Sequence, residues 1–316
     1  MAAHFGNWRT LAATALMATW AGLATAQAPL ANAKVAARVN GEDIGVAEVQ
    51  AVLDQRPSPV PVSADLQKEM RKAAVEMLAD DLLIRQFLRR NAAAAAPADV
   101  QAEYDKLHEA LKKQNKTLEQ FLHEGKMTKE NLRDDIVARL QWKSYLAVRY
   151  PESDIKAYYD ANKPFFDNIT VRASHILVKV APSAGADDKQ KARAKLETIR
   201  QEIVAGKLTF EDAARKYSEC PSRDKAGDIG PFPYKFVVVE SVAQAAFAAK
   251  KGELTGVVGS EFGFHLIKVT DRTPGEPSRF EEVRDLVRDV MAQDHDLYQR
   301  VLSEQKKTAK VEVFFQ

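Results

Sequence analysis

A short run of alternating apolar residues, VAARV at 35–39, turns at Asn40-Gly41 into a still shorter strand and then meets a long helical stretch. A lone two-stranded hairpin is marginal in water, so this strand needs a further partner. The sequence offers one at its far end, VEVFF at 311–315. Pairing the two would bring the chain ends together. The helical region would then be discontinuous, 33–167 completed by 276–316, with residues 168–274 inserted into it.

The helical reading rests on period and caps. Ser63 is placed as an N-cap for a long helix with Leu66, Met70, Ala74, Met77, Ile84 and Leu88 at helical spacing, interrupted at Asp81. A second helix carries Val100, Tyr104, Leu107 and Leu111 on one stripe. Thr117 with Gln120 forms a capping box ended by Gly125, and Thr128 caps a further helix that stops before Pro151. Ser153 opens one more turn or two. At Ile169 the texture changes to ITVRASHILVKV, a β-branched strand. Helices at 189–205, from Thr209 to Tyr217 and around 241–249 then separate it from a last strand near 264–270. Strands interleaved with helices predict a small α+β domain set into a mostly α-helical one. The linker RTPGEPS leads into a helix at 280–307.

Charge excludes one class of partner. The 46 basic side chains meet 44 acidic ones, a net charge of +2 over 316 residues, so no strongly basic face is implied and nucleic acid is not expected. Arg9, the apolar run 11–26 and Ala24-Thr25-Ala26 before Gln27 have the form of an export signal over 1–26. An uncleaved anchor is the alternative. No second candidate span follows, so the mature chain is expected to be exported, most naturally to a periplasm, with no membrane span. Cys220 is the only cysteine, which forbids an intramolecular disulfide and draws attention to its position.

Four segments converge on one family. ASHILVK (173–179), YSECPSRDKAGDIGPF (217–232), AAFAAKKGELTGVV (245–258) and FGFHLIKV (262–269) resemble, in order, the parvulin-type peptidyl-prolyl cis–trans isomerases. The helical region is similar, more loosely, to the chaperone part of exported foldases of the SurA/PrsA-like group. The resemblance implies a small antiparallel sheet flanked by helices for 168–274. It implies catalytic roles for His175, Cys220, Ser260 and His265, and substrate contacts from Ile229, Val238, Val242 and Phe262. Val238 and Val242 stand where many members carry Met and Phe, so the wall around the proline ring is built from smaller groups, with Phe236 or Tyr234 able to supply a ring. The loop APSAGADD after the first strand lacks the basic cluster of phosphoserine-directed members, with Lys179 its only nearby cation.

The chemistry fits such a set. Amide resonance sets a barrier of about 18–20 kcal/mol to X–Pro rotation, and lowering it requires no redox centre, metal or covalent partner. It requires a dry grip on the ring and polar groups matched to the twisted amide. No cofactor is expected. His175, Cys220 and His265 have none of the Cys-x-x-Cys or His-x-x-x-His spacings of a zinc site. His108, His123 and His295 sit on polar helical stretches and read as solvated. The expected function is isomerisation of X–Pro bonds in unfolded exported proteins, with chain-holding by the helical domain. The alternative is a holdase whose parvulin module is inactive and only binds peptide.

Overall fold

A computed structural model of the chain describes residues 35–54 and 62–314. The expected signal at 1–26 and the Pro-rich residues 56–61 lie outside these. The chain divides into two compact units, Met1–Pro151 with Arg288–Gln316, and Glu152–Val287. No helix among the described residues is long and apolar enough to cross a membrane.

The first unit opens with strands β1 (Val35–Val39) and β2 (Glu42–Gly45), then helices α1 (Val46–Asp54), α2 (Ala64–Asn91), α3 (Pro97–Lys113), α4 (Leu118–Glu124) and α5 (Lys129–Arg149). Helix α12 (Leu297–Thr308) and strand β7 (Val311–Val313) complete it from the other end of the chain. The sheet order is β2-β1-β7, antiparallel throughout, with Ala37 opposite Val313 and Val39 opposite Val311. β7 is shorter than the five residues expected, although the Phe314 N–H still donates to the Ala36 carbonyl at 2.9 Å. Asn40 and Gly41 both take positive φ, 51° and 90°, as a two-residue hairpin with the right-handed strand twist requires.

One side chain ties this turn to both neighbours. Gln86 of α2 is 3% exposed, and its amide donates to the Val39 carbonyl and to Glu42 Oε1, both at 3.0 Å. It accepts from Asn40 Nδ2 at 2.7 Å, and Asn40 Oδ1 accepts the Lys310 N–H at 2.9 Å. Asp81, where the apolar pattern breaks, does not interrupt α2. Its carboxylate accepts from Arg85 one turn on, and Arg85 also reaches Asp135 of α5. The polar residue is used to join two helices rather than to end one. His295 is exposed, as expected, yet its Nδ1 lies 3.1 Å from the Tyr150 hydroxyl.

The second unit holds α6 (Glu152–Ala161), α7 (Lys163–Phe166), β3 (Thr170–Lys179), α8 (Ala186–Val204), α9 (Phe210–Tyr217), a 3-10 turn (Pro221–Lys225), β4 (Asp228–Pro233), α10 (Glu240–Ala248), β5 (Val258–Ser260) and β6 (Gly263–Thr273). Helix α11 (Phe280–Asp294) starts in this unit. The sheet order is β4-β3-β6-β5, all antiparallel. Ile176, Val178 and Leu266 pack on one face against Leu196 and Ile199 of α8 and Phe210 and Ala213 of α9. Val171, Ala173, Ile267 and Val269 pack on the other against Val242, Ala246 and Phe247 of α10.

The unit reaches beyond 168–274 on both sides, because the chain segments that enter and leave it are bound together. Tyr159 packs on Phe166 and Phe280 with ring centroids 5.5 Å away in each case. The Ser278 N–H and hydroxyl both donate to Asp167 Oδ1, at 2.8 and 2.9 Å. Gly275 crosses so close that a Cβ there would lie 1.7 Å from the Asp167 carbonyl oxygen.

Replacing Gln86 by Met keeps the volume but leaves the Val39 carbonyl and Asn40 amide without their buried partner. The helical unit is expected to lose about 2 kcal/mol. Urea unfolding followed by a probe in that unit should show a lower midpoint, with the second unit unmoved. An unchanged midpoint would show that the turn is held by strand pairing alone.

Candidate active site

The site is built on the β3–β6 pair. Register sets His175 opposite Ile267 and Leu177 opposite His265, so both imidazoles emerge on the α10 face as diagonal neighbours. Val258 of β5 flanks His265 on its other side and packs on the α10-side cluster. The two histidines thus continue the apolar face where α10 ends its cover.

Their ring nitrogens form a chain. His175 Nδ1 lies 3.4 Å from His265 Nδ1, and His265 Nε2 lies 2.7 Å from Ser260 Oγ. The Phe262 N–H donates to Ser260 Oγ at 3.1 Å, leaving the serine proton free to point at the imidazole. If that proton is given to His265 Nε2, His265 donates from Nδ1 to His175. In the reverse arrangement His175 donates, His265 Nε2–H donates to Ser260, and the serine turns its proton towards the Gly263 carbonyl at 3.5 Å. The Nδ1–Nδ1 contact holds only one proton in either case, so two imidazolium ions are excluded.

Burial sets the charge. His175 and His265 are 8% and 3% exposed. Desolvation lowers the pKa of both, and His175 adds a repulsive push that brings His265 down to about 4. His175 Nε2 is buried and makes no hydrogen bond among the described residues.

Cys220 lies on a loop that its neighbours hold against β3. The free side of β3 changes partner as it runs. β4 pairs with 170–174, the Gly227 carbonyl accepts the His175 N–H at 2.9 Å, and the Ser218 hydroxyl accepts the Leu177 N–H at 3.2 Å. The Glu219 N–H then donates to the Leu177 carbonyl at 2.8 Å, and the Glu219 carboxylate accepts the Lys179 N–H. The loop carrying Cys220 is therefore pinned to β3 at both ends. Gly227 is obligatory there, with φ 84° and a would-be Cβ only 2.6 Å from the His175 carbonyl oxygen. Cys220 is half-buried, and among the described residues no hydrogen bond joins its thiol to either imidazole.

The expected substrate contacts separate into kinds. Ile229 and Val238 are half-buried at the edge of the α10-side cluster. Val242 is 1% exposed inside it, so it backs the wall rather than forming its surface. Phe262, at the β5–β6 turn, is 55% exposed. Tyr234 meets the Phe247 ring edge-on, with centroids 5.0 Å away, and adds an aromatic to this face, whereas Phe236 turns to Phe165. Sequence reasoning missed Ser218, which is buried and also accepts from the Cys220 N–H at 3.4 Å. Its signal was a hydroxyl two residues before the lone cysteine.

A family model described as the PPIC-type PPIase (rotamase) domain matches residues 175–271. A peptidyl-prolyl cis–trans isomerase Pin1 from Malus domestica is 36% identical over 113 residues, which are 32% of this chain and 93% of that protein. A foldase protein PrsA from Caldanaerobacter subterraneus is 27% identical over 299 residues, covering 89% of this chain and 87% of the relative. A crystal structure of the peptidylprolyl isomerase PrsA from Bacillus anthracis is 22% identical, with a TM-score of 0.39 over 73% of this chain and 94% of that one. The chain belongs to the PPIC-type, or parvulin, family of peptidyl-prolyl cis–trans isomerases. Its reaction is rotation about X–Pro bonds.

The depressed histidines link stability to pH. In the unfolded chain both titrate near 6.5; in the fold His175 is lowered by burial and His265 falls to about 4, so for His265 the unfolded state binds more protons between about pH 6.5 and 4. Their contribution to stability is complete above the unfolded value and is lost as pH falls. Urea unfolding of the second unit should therefore weaken by about 2 kcal/mol between about pH 7 and 5 on account of His265. His265→Asn should flatten that slope. A variant with the wild-type slope would mean that His265 is not held neutral.

Proposed function

We propose that this isomerase is an exported foldase acting on unfolded or partly folded polypeptides, with catalysis in residues 152–287 and chain-holding in the helical unit. The observation that carries the catalytic part is the neutral His175–His265–Ser260 chain set at the edge of a dry apolar face. A prolyl ring against Ile229 and Val238 would leave its preceding carbonyl near the polar edge. Rotation removes amide resonance and shifts electron density onto nitrogen, so polar groups arranged for the twisted amide lower the barrier without any bond being made to the enzyme.

On this reading His175 and His265 organise the polar edge, and Ser260 orients His265. Cys220 adds one contact from the pinned loop. Val242 and Phe247 support the apolar wall from behind. Similarity to PrsA foldases over most of the chain supports client proteins as substrates and export as the setting. The form of residues 1–26 supports export as well.

Protease-coupled turnover of X–Pro tetrapeptides by the full chain tests the assignment. His175→Ala and His265→Ala should each lower kcat/KM by at least about tenfold, while Cys220→Ala retains measurable turnover because one polar contact is worth about 1–3 kcal/mol. Abolition of all activity by Cys220→Ala, with the circular dichroism unchanged, would point instead to a covalent role for the thiol.

A further inference from the structure

Residues 234–238 run between β4 and α10 as a series of bends, and two of their side chains are placed unusually. Phe236, 44% exposed, has φ 71°, a left-handed conformation that is uncommon for a bulky residue. Its ring meets Phe165 of α7 edge-on, at 5.8 Å and 88°. Lys235 is 6% exposed, and its ammonium lies 5.4 Å from the Tyr158 ring centroid and 6.0 Å from that of Phe236. A buried cation so placed is attracted by the quadrupoles of both rings. Phe165 packs in turn on Phe166, and Phe166 on Tyr158 and Tyr159. The segment is thus bolted to α6 and α7 by side chains.

On its other side the same segment meets the site. Tyr234, Val238 and Val239 pack on the cluster that includes Val242 and Phe247, as does Val258, the direct strand partner of His265. Lys235 and Phe236 point one way, and the wall residues around them point the other.

We propose that Lys235 and Phe236 are positioning residues that set the width of the proline pocket, by docking the 234–239 segment on Phe165 and Tyr158. This rests on reading Val238 as part of the wall that grips the prolyl ring. Small branched side chains hold a ring tightly only if their backbone cannot retreat, and the docking to α6 and α7 supplies that stiffness. Pocket tightness is then governed by Phe165 and Tyr158, which never touch substrate.

The test uses the full chain with Lys235→Met, Lys235→Arg and Phe165→Leu. Each variant is assayed for kcat and KM on an X–Pro tetrapeptide, and for Kd of that peptide and of its pipecolyl analogue, whose ring is one carbon larger. Lys235→Met and Phe165→Leu should raise KM and the prolyl Kd by about five- to tenfold, with kcat changed less than about twofold. Both should narrow the preference for the five-membered over the six-membered ring. Lys235→Arg, which keeps a cation over the rings, should restore wild-type values. Folded variants with wild-type Kd and ring-size preference overturn the proposal, as does an effect confined to kcat. A wild-type chain that binds the prolyl peptide without turning it over defeats the catalytic reading alone, and the Kd series still decides the role of the segment. A wild-type chain that binds neither peptide defeats the reading of Val238, and the proposal with it.

Discussion

β3 and β6 lie antiparallel from Thr170 opposite Thr273 to Lys179 opposite Gly263, and the functional face of the second unit follows from that register. A slip of one residue would send His265 to the α8–α9 side and bring Leu266 to the site. Two devices hold the alignment. A bulge passes over Thr270, whose hydroxyl donates to the Arg172 carbonyl at 3.1 Å. At the other end Gly263, with φ 131°, lies where a Cβ would come 2.2 Å from the Val178 carbonyl oxygen. Any side chain there would push the β5–β6 turn off β3, and Ser260 would lose its place beside His265.

The site's electrostatics follow from how deeply that register buries it. An imidazole pair in water would titrate near neutrality, but here desolvation favours the neutral form of both rings and their shared contact admits a single proton. A neutral, directional chain suits the reaction. X–Pro rotation moves no proton and makes no bond, so a fixed charge would favour the planar amide's dipole as much as the twisted form. The buried Nε2 of His175, without a hydrogen-bond partner among the described residues, belongs to the same arrangement, and the residue's backbone is fixed by the Gly227 carbonyl on its N–H.

Much of this was legible in the sequence, for local reasons. Thr117 with Gln120 is a capping box in the structure, as its spacing implies, and Thr128 caps α5 with Asn131 as its reciprocal partner. The strand at 35–39 needed a third partner and meets β7. His175 and His265 lie in alternating β-branched segments whose pairing can be anticipated, and they do meet. Less legible were features that depend on long-range contact. Asp81 interrupted the apolar pattern, because the ion pair it makes with Arg85 is completed by Asp135 on another helix. Lys235 carried no signal in the sequence, because Tyr158, whose ring it meets, is far away along the chain. Val242 counted as pocket lining by position, but the turn of α10 puts it fully inside. Ser218 carried only a weak signal, since a hydroxyl that satisfies two backbone N–H groups has no periodicity of its own.

The central claim, that a buried, neutral histidine pair with one shared proton forms the polar edge of the site, is tested most directly by nitrogen-15 spectra of the histidine side chains in the full chain. At about pH 5.5, where an ordinary histidine is mostly protonated, His265 should show the shifts of neutral imidazole, and the facing Nδ1 atoms of the pair should hold one proton between them. Ser260→Ala should perturb His265 Nε2 more than any other ring nitrogen. Imidazolium shifts for both residues at that pH, or shifts indifferent to the loss of Ser260, would contradict the account.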